Sequence, residues 1–192
     1  VDAPVARIDP DARTVTMASG ERLGFDRLLL ATGSEPIRLG GPGFDRQDVH
    51  TLRSLADART IIAAAEGSAR VAIIGASFIG LEAAASLRAR GLEVHVVAPD
   101  ETPMERVLGR ELGAFIRQIH EDKGVVFHLR QTAESFDGER LRLSGGGEIA
   151  CDFVVLGGGV RPRVQLAQDA GLATDNGVIV DAFLETSRPG VF

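Results

Sequence analysis

Between Val71 and Val97 an apolar tetrapeptide, a glycine turn, an alanine-rich stretch and a second apolar run follow one another without interruption. Val71-Ala72-Ile73-Ile74 reads as a buried strand, because a short apolar run is stopped by Gly75. Gly75 to Gly80 reads as a turn. Leu81 to Arg90 is made almost entirely of strong helix formers and ends at Gly91, so it reads as a helix. Glu93 to Val97 is the following strand. Two strands joined by a helix within about thirty residues form a parallel βαβ unit, and a parallel sheet needs helices to cover it. The chain is therefore expected to be α/β, with a Rossmann-like parallel sheet.

The turn Gly75-Ala76-Ser77-Phe78-Ile79-Gly80 departs at one position from the G-x-G-x-x-G dinucleotide fingerprint. In that fingerprint the first glycine makes the tight turn, the second lets a pyrophosphate approach the backbone, and the third lets helix pack on strand. The exposed N–H groups and the positive end of the helix hold the phosphates. Ser77 stands at the second glycine position, where its side chain takes up room and its hydroxyl can donate to a phosphate. The acid that usually follows the second strand and takes the ribose 2′-OH falls at Ala98, and Asp100 or Glu101 is left either to reach the ribose or to sit solvated in the loop. No arginine follows directly to bind a 2′-phosphate. Glu82 lies in the first turns of the helix, where the dipole favours a carboxylate whatever its function.

Around this unit the chain is punctuated by glycine. Thr14 to Met17 is strand-like and closes at Ser19-Gly20, and Leu28 to Thr32, ended by Gly33, reads as a buried strand. Gly40-Gly41-Pro42-Gly43 is the first candidate boundary. Ser54 with Asp57 forms a capping-box-like helix start, followed by Ala58, Ile61, Ile62 and Ala65 and stopped by Gly67. Leu108, Leu112, Phe115, Ile116 and Ile119 mark another helix, closed by Gly124 before Val125-Val126-Phe127. From Gln131 to Cys151, short alternating segments split by Asp137-Gly138 and Gly145-Gly146-Gly147 read as a β-meander on one face of the sheet. Asp152 to Leu156 is a further buried strand, followed by Gly157-Gly158-Gly159, a helical piece near Val164 to Ala170 and a strand at Val178 to Val180.

Composition removes several classes of function. The net charge of −6 and the single lysine, Lys123, give no footprint for nucleic acid. No apolar run reaches the roughly 18 residues of a spanning helix. The P-loop pattern is absent, and His50, His95, His120 and His128 show no metal-ligand spacing, so no metal site is expected. Cys151, the only cysteine, cannot form an internal disulfide, which fits a reducing, cytoplasmic setting, and it reads as a packed small apolar residue. With no tyrosine, a dehydrogenase using a Tyr-Lys acid pair is excluded on this chain, and catalysis falls to a bound cofactor or to sequence elsewhere.

Five stretches in order resemble the FAD-dependent pyridine nucleotide-disulfide oxidoreductase superfamily, particularly its ferredoxin reductase and rubredoxin reductase branch and the relatives of apoptosis-inducing factor. They are Phe25 to Pro36 with its Ala31-Thr32-Gly33 turn, His50 to Ala58, Val71 to Glu82, Cys151 to Pro162, and Gly177 to Phe192 with its Thr186-Ser187-Arg188-Pro189-Gly190 approach to a flavin motif. The resemblance implies an NAD(P)H-binding domain over residues 46–158, flanked by partial FAD-domain segments at 1–45 and 159–192. It implies that the remainder of the FAD domain lies before Val1, with no targeting signal legible at that start, and that an interface domain follows.

The resemblance also implies site residues. Gly75, Ser77, Phe78, Ile79 and Gly80 would serve the pyrophosphate, and Glu82 would lie near the nicotinamide as the candidate catalytic residue. Asp100 and Arg106 would stand on the adenosine side, Gly157 and Gly158 would line the nicotinamide end, and Thr32 and Gly33 would sit toward the flavin. NAD(P)H, with NADH favoured, is the expected cofactor, and FAD is expected in the whole protein. The implied activity is hydride transfer from NAD(P)H to FAD and onward to a ferredoxin-like or Rieske-type iron–sulfur acceptor, in a protein capable of homo-oligomerising. A nucleotide-binding regulatory or interaction module with little turnover is the alternative, and Ser77 and Ala98 are the residues that favour it.

Overall fold

The computed structural model describes residues 3–192; Val1 and Asp2, which the first flanking segment includes, lie outside the described residues. The chain divides into two compact units, one built from the residues up to Glu35 together with Arg161–Phe192, the other from Pro36–Val160. In the first unit β1 (Val5–Asp9), β2 (Thr14–Met17) and β3 (Arg22–Gly24) form an antiparallel meander. The two chain crossings, β4 (Ser34–Pro36) and β13 (Val160–Pro162), are hydrogen-bonded to each other.

The second unit runs β5 (Val49–Thr51), α1 (Leu55–Glu66), β6 (Arg70–Ile74), α2 (Phe78–Ala89), β7 (Glu93–Ala98), α3 (Glu105–Glu121) and β8 (Val125–Leu129). The meander β9 (Ala133–Phe136), β10 (Arg140–Leu143) and β11 (Glu148–Ala150) follows, and β12 (Phe153–Leu156) returns to the sheet. Five strands pair in parallel in the order β5-β12-β6-β7-β8.

The central strands are apolar on both faces, and their side chains divide with period two. Val71, Ile73, Val94, Val96, Ala98, Phe153 and Val155 enter a core beneath the three helices. Ala72, Ile74, Val97, Val154 and Leu156 enter a second core beneath the meander, together with Phe136, Leu141, Leu143 and Ile149. Cys151 belongs to this second core, fully buried, and burial pushes its thiol up to about 12, which makes it inert packing rather than a nucleophile. Phe44 and Leu39 also join it, so the glycine-rich segment Gly40–Gly43 lies inside the second unit.

The capping box at α1 is complete: the Asp57 N–H donates to the Ser54 hydroxyl at 3.2 Å, and the Ser54 N–H donates to the Asp57 carboxylate at 2.8 Å. Helix α2 begins at Phe78, three residues before the helix read from sequence, because Ser77 caps it. Helix α3 begins at Glu105 and breaks at Gly109 (φ 79°, ψ 170°), so its first turn is distinct from the rest. Of its expected apolar stripe only Leu108 and Ile116 pack on the core, while Leu112, Phe115 and Ile119 are exposed.

Two expected strands of the first unit do not form as such. Leu28 and Leu30 donate to Gly190 and Phe192, but the pairing is a single bridge and Leu29 is 71% exposed, because no second strand flanks this segment among the described residues. Val178 to Val180 makes only isolated bridges to Thr174 and Thr186, since the Asp181 carboxylate turns the chain by accepting from Phe183 and Glu185. Helix α4 (Gln165–Asp169) falls where the sequence places it. Among the described residues no helix is long and apolar enough to cross a membrane.

Asp152 ties the entries of β12 and β6 together. Its carboxylate accepts from the N–H groups of Ala69 at 2.8 Å and Arg70 at 2.9 Å, and from the Arg70 guanidinium at 3.1 Å. Burial raises its pKa, and these donors together outweigh burial and hold the carboxyl below the usual range. Asp152→Ala is expected to lower stability by about 2–3 kcal/mol at pH 7 in urea unfolding. The carboxyl's contribution is present while it is ionised and is lost as pH falls through its lowered pKa, so the gap to wild type narrows below pH 3.8. A gap constant from neutral to acid pH would contradict this role.

Candidate functional site

The carboxyl ends of β6 and β12 meet in a seam of three glycines. The ladder continues past both strands, with the Gly75 N–H donating to Val97 and the Gly157 N–H donating to Ile74, and then turns sharply. Gly75 sits at φ +112°, and a Cβ there would lie 2.6 Å from the Gly157 carbonyl carbon. A Cβ on Gly80 would lie 2.0 Å from the Gly75 oxygen, and one on Gly157 would lie 2.6 Å from the Gly80 Cα. Backbone therefore touches backbone at all three positions, which only glycine permits.

Ser77 locks this seam. Its hydroxyl donates to the Gly157 carbonyl at 2.6 Å and accepts from the Gly80 N–H at 3.5 Å. The one hydroxyl proton is thereby committed within the protein, in place of the phosphate contact read from sequence. The N–H groups of Phe78 and Ile79, at the first two positions of α2, have no acceptor among the described residues. Two orphan donors at the positive end of a 12-residue helix constitute an anion seat.

That seat opens into a cleft of ≈ 410 Å³ at the carboxyl ends of β6, β7 and β12, on both sides of the point where strand order reverses. Leu39, Ile74, Val97, Met104 and Leu156 give it apolar walls. Asp100, Glu105 and Arg106 supply its charges. A mostly apolar cleft that carries charged groups in its lining and a helix N-terminus at its edge fits a dinucleotide.

The β7–α3 loop is held against the glycine turn by the Met104 N–H, which donates to Ala76 at 3.1 Å. Met104 adopts a left-handed backbone (φ 57°), a conformation strained for a residue with a side chain. Behind it the charges are paired. Arg106 Nε donates to Asp100 Oδ1 at 3.0 Å, and Arg110 bridges Glu101 and Glu105 at 2.8 and 2.7 Å. Arg130 also pairs with Glu101, and Arg110 holds the Glu105 carboxyl below its usual range.

Of the residues singled out from sequence, Gly75, Ser77, Phe78, Asp100, Arg106, Gly157 and Gly158 line the cleft. Ile79 and Gly80 are not among the lining residues; the Ile79 N–H has no acceptor among the described residues, and Gly80 is part of the glycine seam. Glu82 is exposed on α2 outside the cleft lining. Thr32 and Gly33 belong to the other unit, where the Thr32 hydroxyl donates to the Arg163 carbonyl at 2.7 Å and the Gly33 carbonyl accepts from Arg163 at 3.0 Å. Sequence reading missed Met104, Glu105 and the Gln131–Ala133 segment. The signal for them was topological, since loops that follow neighbouring parallel strands converge on one cleft. His95 Nδ1 and His128 Nε2 bond each other at 2.9 Å on the open sheet, and no cluster among the described residues is arranged to hold a metal ion.

The family described as pyridine nucleotide-disulphide oxidoreductase matches residues 1–192. The chain is 36% identical over 188 residues to rhodocoxin reductase of Rhodococcus erythropolis, covering 95% of this chain and 44% of that protein. It is 37% identical over 192 residues to the ferredoxin–NAD(+) reductase component of the anthranilate 1,2-dioxygenase system of Burkholderia cepacia, covering 98% and 47%. The crystal structure of the ferredoxin reductase for the CYP199A2 system of Rhodopseudomonas palustris superposes with a TM-score of 0.95 at 36% identity, over 100% of this chain and 48% of that one. The chain thus spans just under half the length of each of these relatives.

The seam makes a sharp prediction about adjacent glycines. Gly157→Ala drives a Cβ into Gly80, whereas a Cβ at Gly158 meets nothing within 4 Å. Thermal melting is expected to show Gly157→Ala destabilised by roughly 2 kcal/mol or more and Gly158→Ala within about 0.5 kcal/mol of wild type. Equal losses at the two positions would contradict the close approach.

Proposed function

Given that the chain belongs to the pyridine nucleotide-disulphide oxidoreductase family, we propose that it is the NAD(P)H-binding portion of an FAD-dependent reductase that passes electrons to a ferredoxin-like or Rieske-type iron–sulfur protein. The observation that carries this reading is the anion seat at the head of α2, two unpartnered N–H groups opening beside a glycine seam into a cleft with apolar walls. Bound there, NAD(P)H supplies a hydride, and FAD in the whole protein supplies the conversion from two-electron to one-electron transfer.

The chain's own residues position and select. Phe78 and Ile79 offer their N–H groups to the pyrophosphate. Ser77 holds Gly157 and Gly158 in place at the nicotinamide end. Glu82, exposed and without a hydrogen bond or ion pair among the described residues, faces solvent from the second turn of α2, where a nicotinamide amide can donate to its carboxylate. Thr32 and Gly33 serve the flavin side of the other unit. NADH is favoured over NADPH, because Asp100 and Glu105 both line the cleft beside a single arginine, and a 2′-phosphate adds nearly two negative charges against them. A homo-oligomer in a cytoplasmic setting completes the reading.

The test uses the whole flavin-containing protein in anaerobic stopped flow. NADH is expected to bleach the flavin faster than NADPH at equal concentration. Glu82→Gln is expected to slow bleaching about tenfold, with an unchanged melting temperature. Saturable NADH binding with negligible bleaching would replace this reading with the regulatory one, and a colourless protein would overturn it. An unchanged bleaching rate in Glu82→Gln would remove Glu82 from the site.

A further inference from the structure

We propose that Glu93, His95 and His128 form a proton-operated latch between the last two strands of the sheet, one that weakens dinucleotide binding in acid; this rests on the dinucleotide reading above. His95 shares a face of β7 with Val97, which enters the core beneath the meander. In the parallel register His128 stands beside Val97 and Val126 beside His95, so both imidazoles lie on one face at the edge of the sheet. Their hydrogen bond is the one side-chain tie between β7 and β8 among the described residues.

The tie tolerates one proton between the rings and no more. Glu93 Oε1 lies 2.9 Å from His95 Nε2, and a carboxylate only accepts, so that nitrogen carries a proton. His95 Nδ1 lies 2.9 Å from His128 Nε2. One proton fills that gap, whether a neutral His95 accepts it from His128 or a charged His95 donates it. Once both rings are charged, N–H faces N–H, the bond is lost and two like charges stand side by side. Burial, and after it the charge of His95, pushes the His128 pKa below 6.5, so the second proton arrives only in acid.

Neighbouring charges do not offset this. Glu93 is engaged by His95. Arg70, beside Glu93 in register on β6, is engaged by Asp152 at the entry of β12. In the meander Arg140 and Arg142 pair with Glu148, and Glu134 and Glu139 are exposed. Among the described residues His95 supplies the one charge that acts on His128.

The latch holds the approach to the cleft. Strand β8 ends the sheet and is paired on one side only. Just past His128 the chain sets Leu129 opposite Ala98, and the N–H groups of Arg130 and Gln131 donate to the Asp100 and Ala98 carbonyls, both at 3.2 Å. Gln131, Thr132 and Ala133 then line the cleft. Loosening β8 at His128 loosens that wall, and a ligand that needs the wall favours the state with fewer protons. Affinity therefore falls as pH drops below 6.5, where His128 takes up its proton.

Calorimetric titration of the whole flavin-containing protein with ADP-ribose tests the coupling without redox chemistry. Wild type is expected to bind about fivefold more weakly at about pH 5.5 than at about pH 7.5. His128→Gln, which cannot titrate, is expected to change by less than about twofold between the same two values. His50→Gln and His120→Gln are expected to keep the wild-type response. Melting temperatures check that each variant is folded at both values. A wild-type affinity that does not change with pH, or a full response in folded His128→Gln, would overturn the latch and leave the dinucleotide site standing. No binding of ADP-ribose by wild type at the higher pH would overturn both.

Discussion

The close approach of Gly75, Gly80 and Gly157 is the constraint on which the rest of the second unit depends. Backbone carbonyls and α-carbons from the turn after β6, from the head of α2 and from the turn after β12 occupy space that a single methyl group would fill. Because they touch, only three residues separate the end of β6 from the start of α2, and the first two N–H groups of α2, those of Phe78 and Ile79, have no acceptor among the described residues. Ser77 strengthens the contact with a hydrogen bond that crosses the seam, so the serine at a position usually held by glycine is structural cement here. In the function proposed above, phosphate binding falls instead to the main-chain N–H groups of Phe78 and Ile79.

Two separate cores support that arrangement. Alternate residues of the same strands enter the helix side and the meander side, so neither layer can shift without moving β6, β7 and β12. Asp152 secures the opposite end of the sheet from the cleft, joining the entries of β12 and β6. The end secured by Asp152 and the end that carries the cleft are thus distinct. Left-handed Met104 and the interruption of α3 at Gly109 lie at the cleft end, and strained backbone is commonly retained at functional sites.

Much of this was legible in the sequence, and the exceptions have physical causes. Parallel strands buried on both faces leave continuous apolar runs, which is why β6, β7 and β12 stand out, and the glycine pairs and triplets mark the meander. Leu28 to Thr32 carries the same apolar signature, yet strand formation depends on partners that composition does not reveal, and here Leu28 has one bridge. The stripe on α3 suggested burial for Leu112, Phe115 and Ile119, but periodicity reports a face without saying what lies against it. Within the site, the glycine turn was readable because its spacing is itself the mechanism. Asp100 and Glu101 were indistinguishable as neighbouring loop acids until Arg106, Arg110 and Arg130, brought in from other elements, were seen to divide them.

The central claim is that main-chain donors at the head of α2, and not the Ser77 hydroxyl, receive the dinucleotide. Amide chemical shifts followed by NMR during titration with NAD+ test it most directly. The account predicts that the largest changes fall on the Phe78 and Ile79 amides, with smaller ones at Gly157 and Gly158, and that these persist in Ser77→Ala. Saturable binding that leaves Phe78 and Ile79 unmoved, or changes abolished by Ser77→Ala in a folded protein, would contradict it.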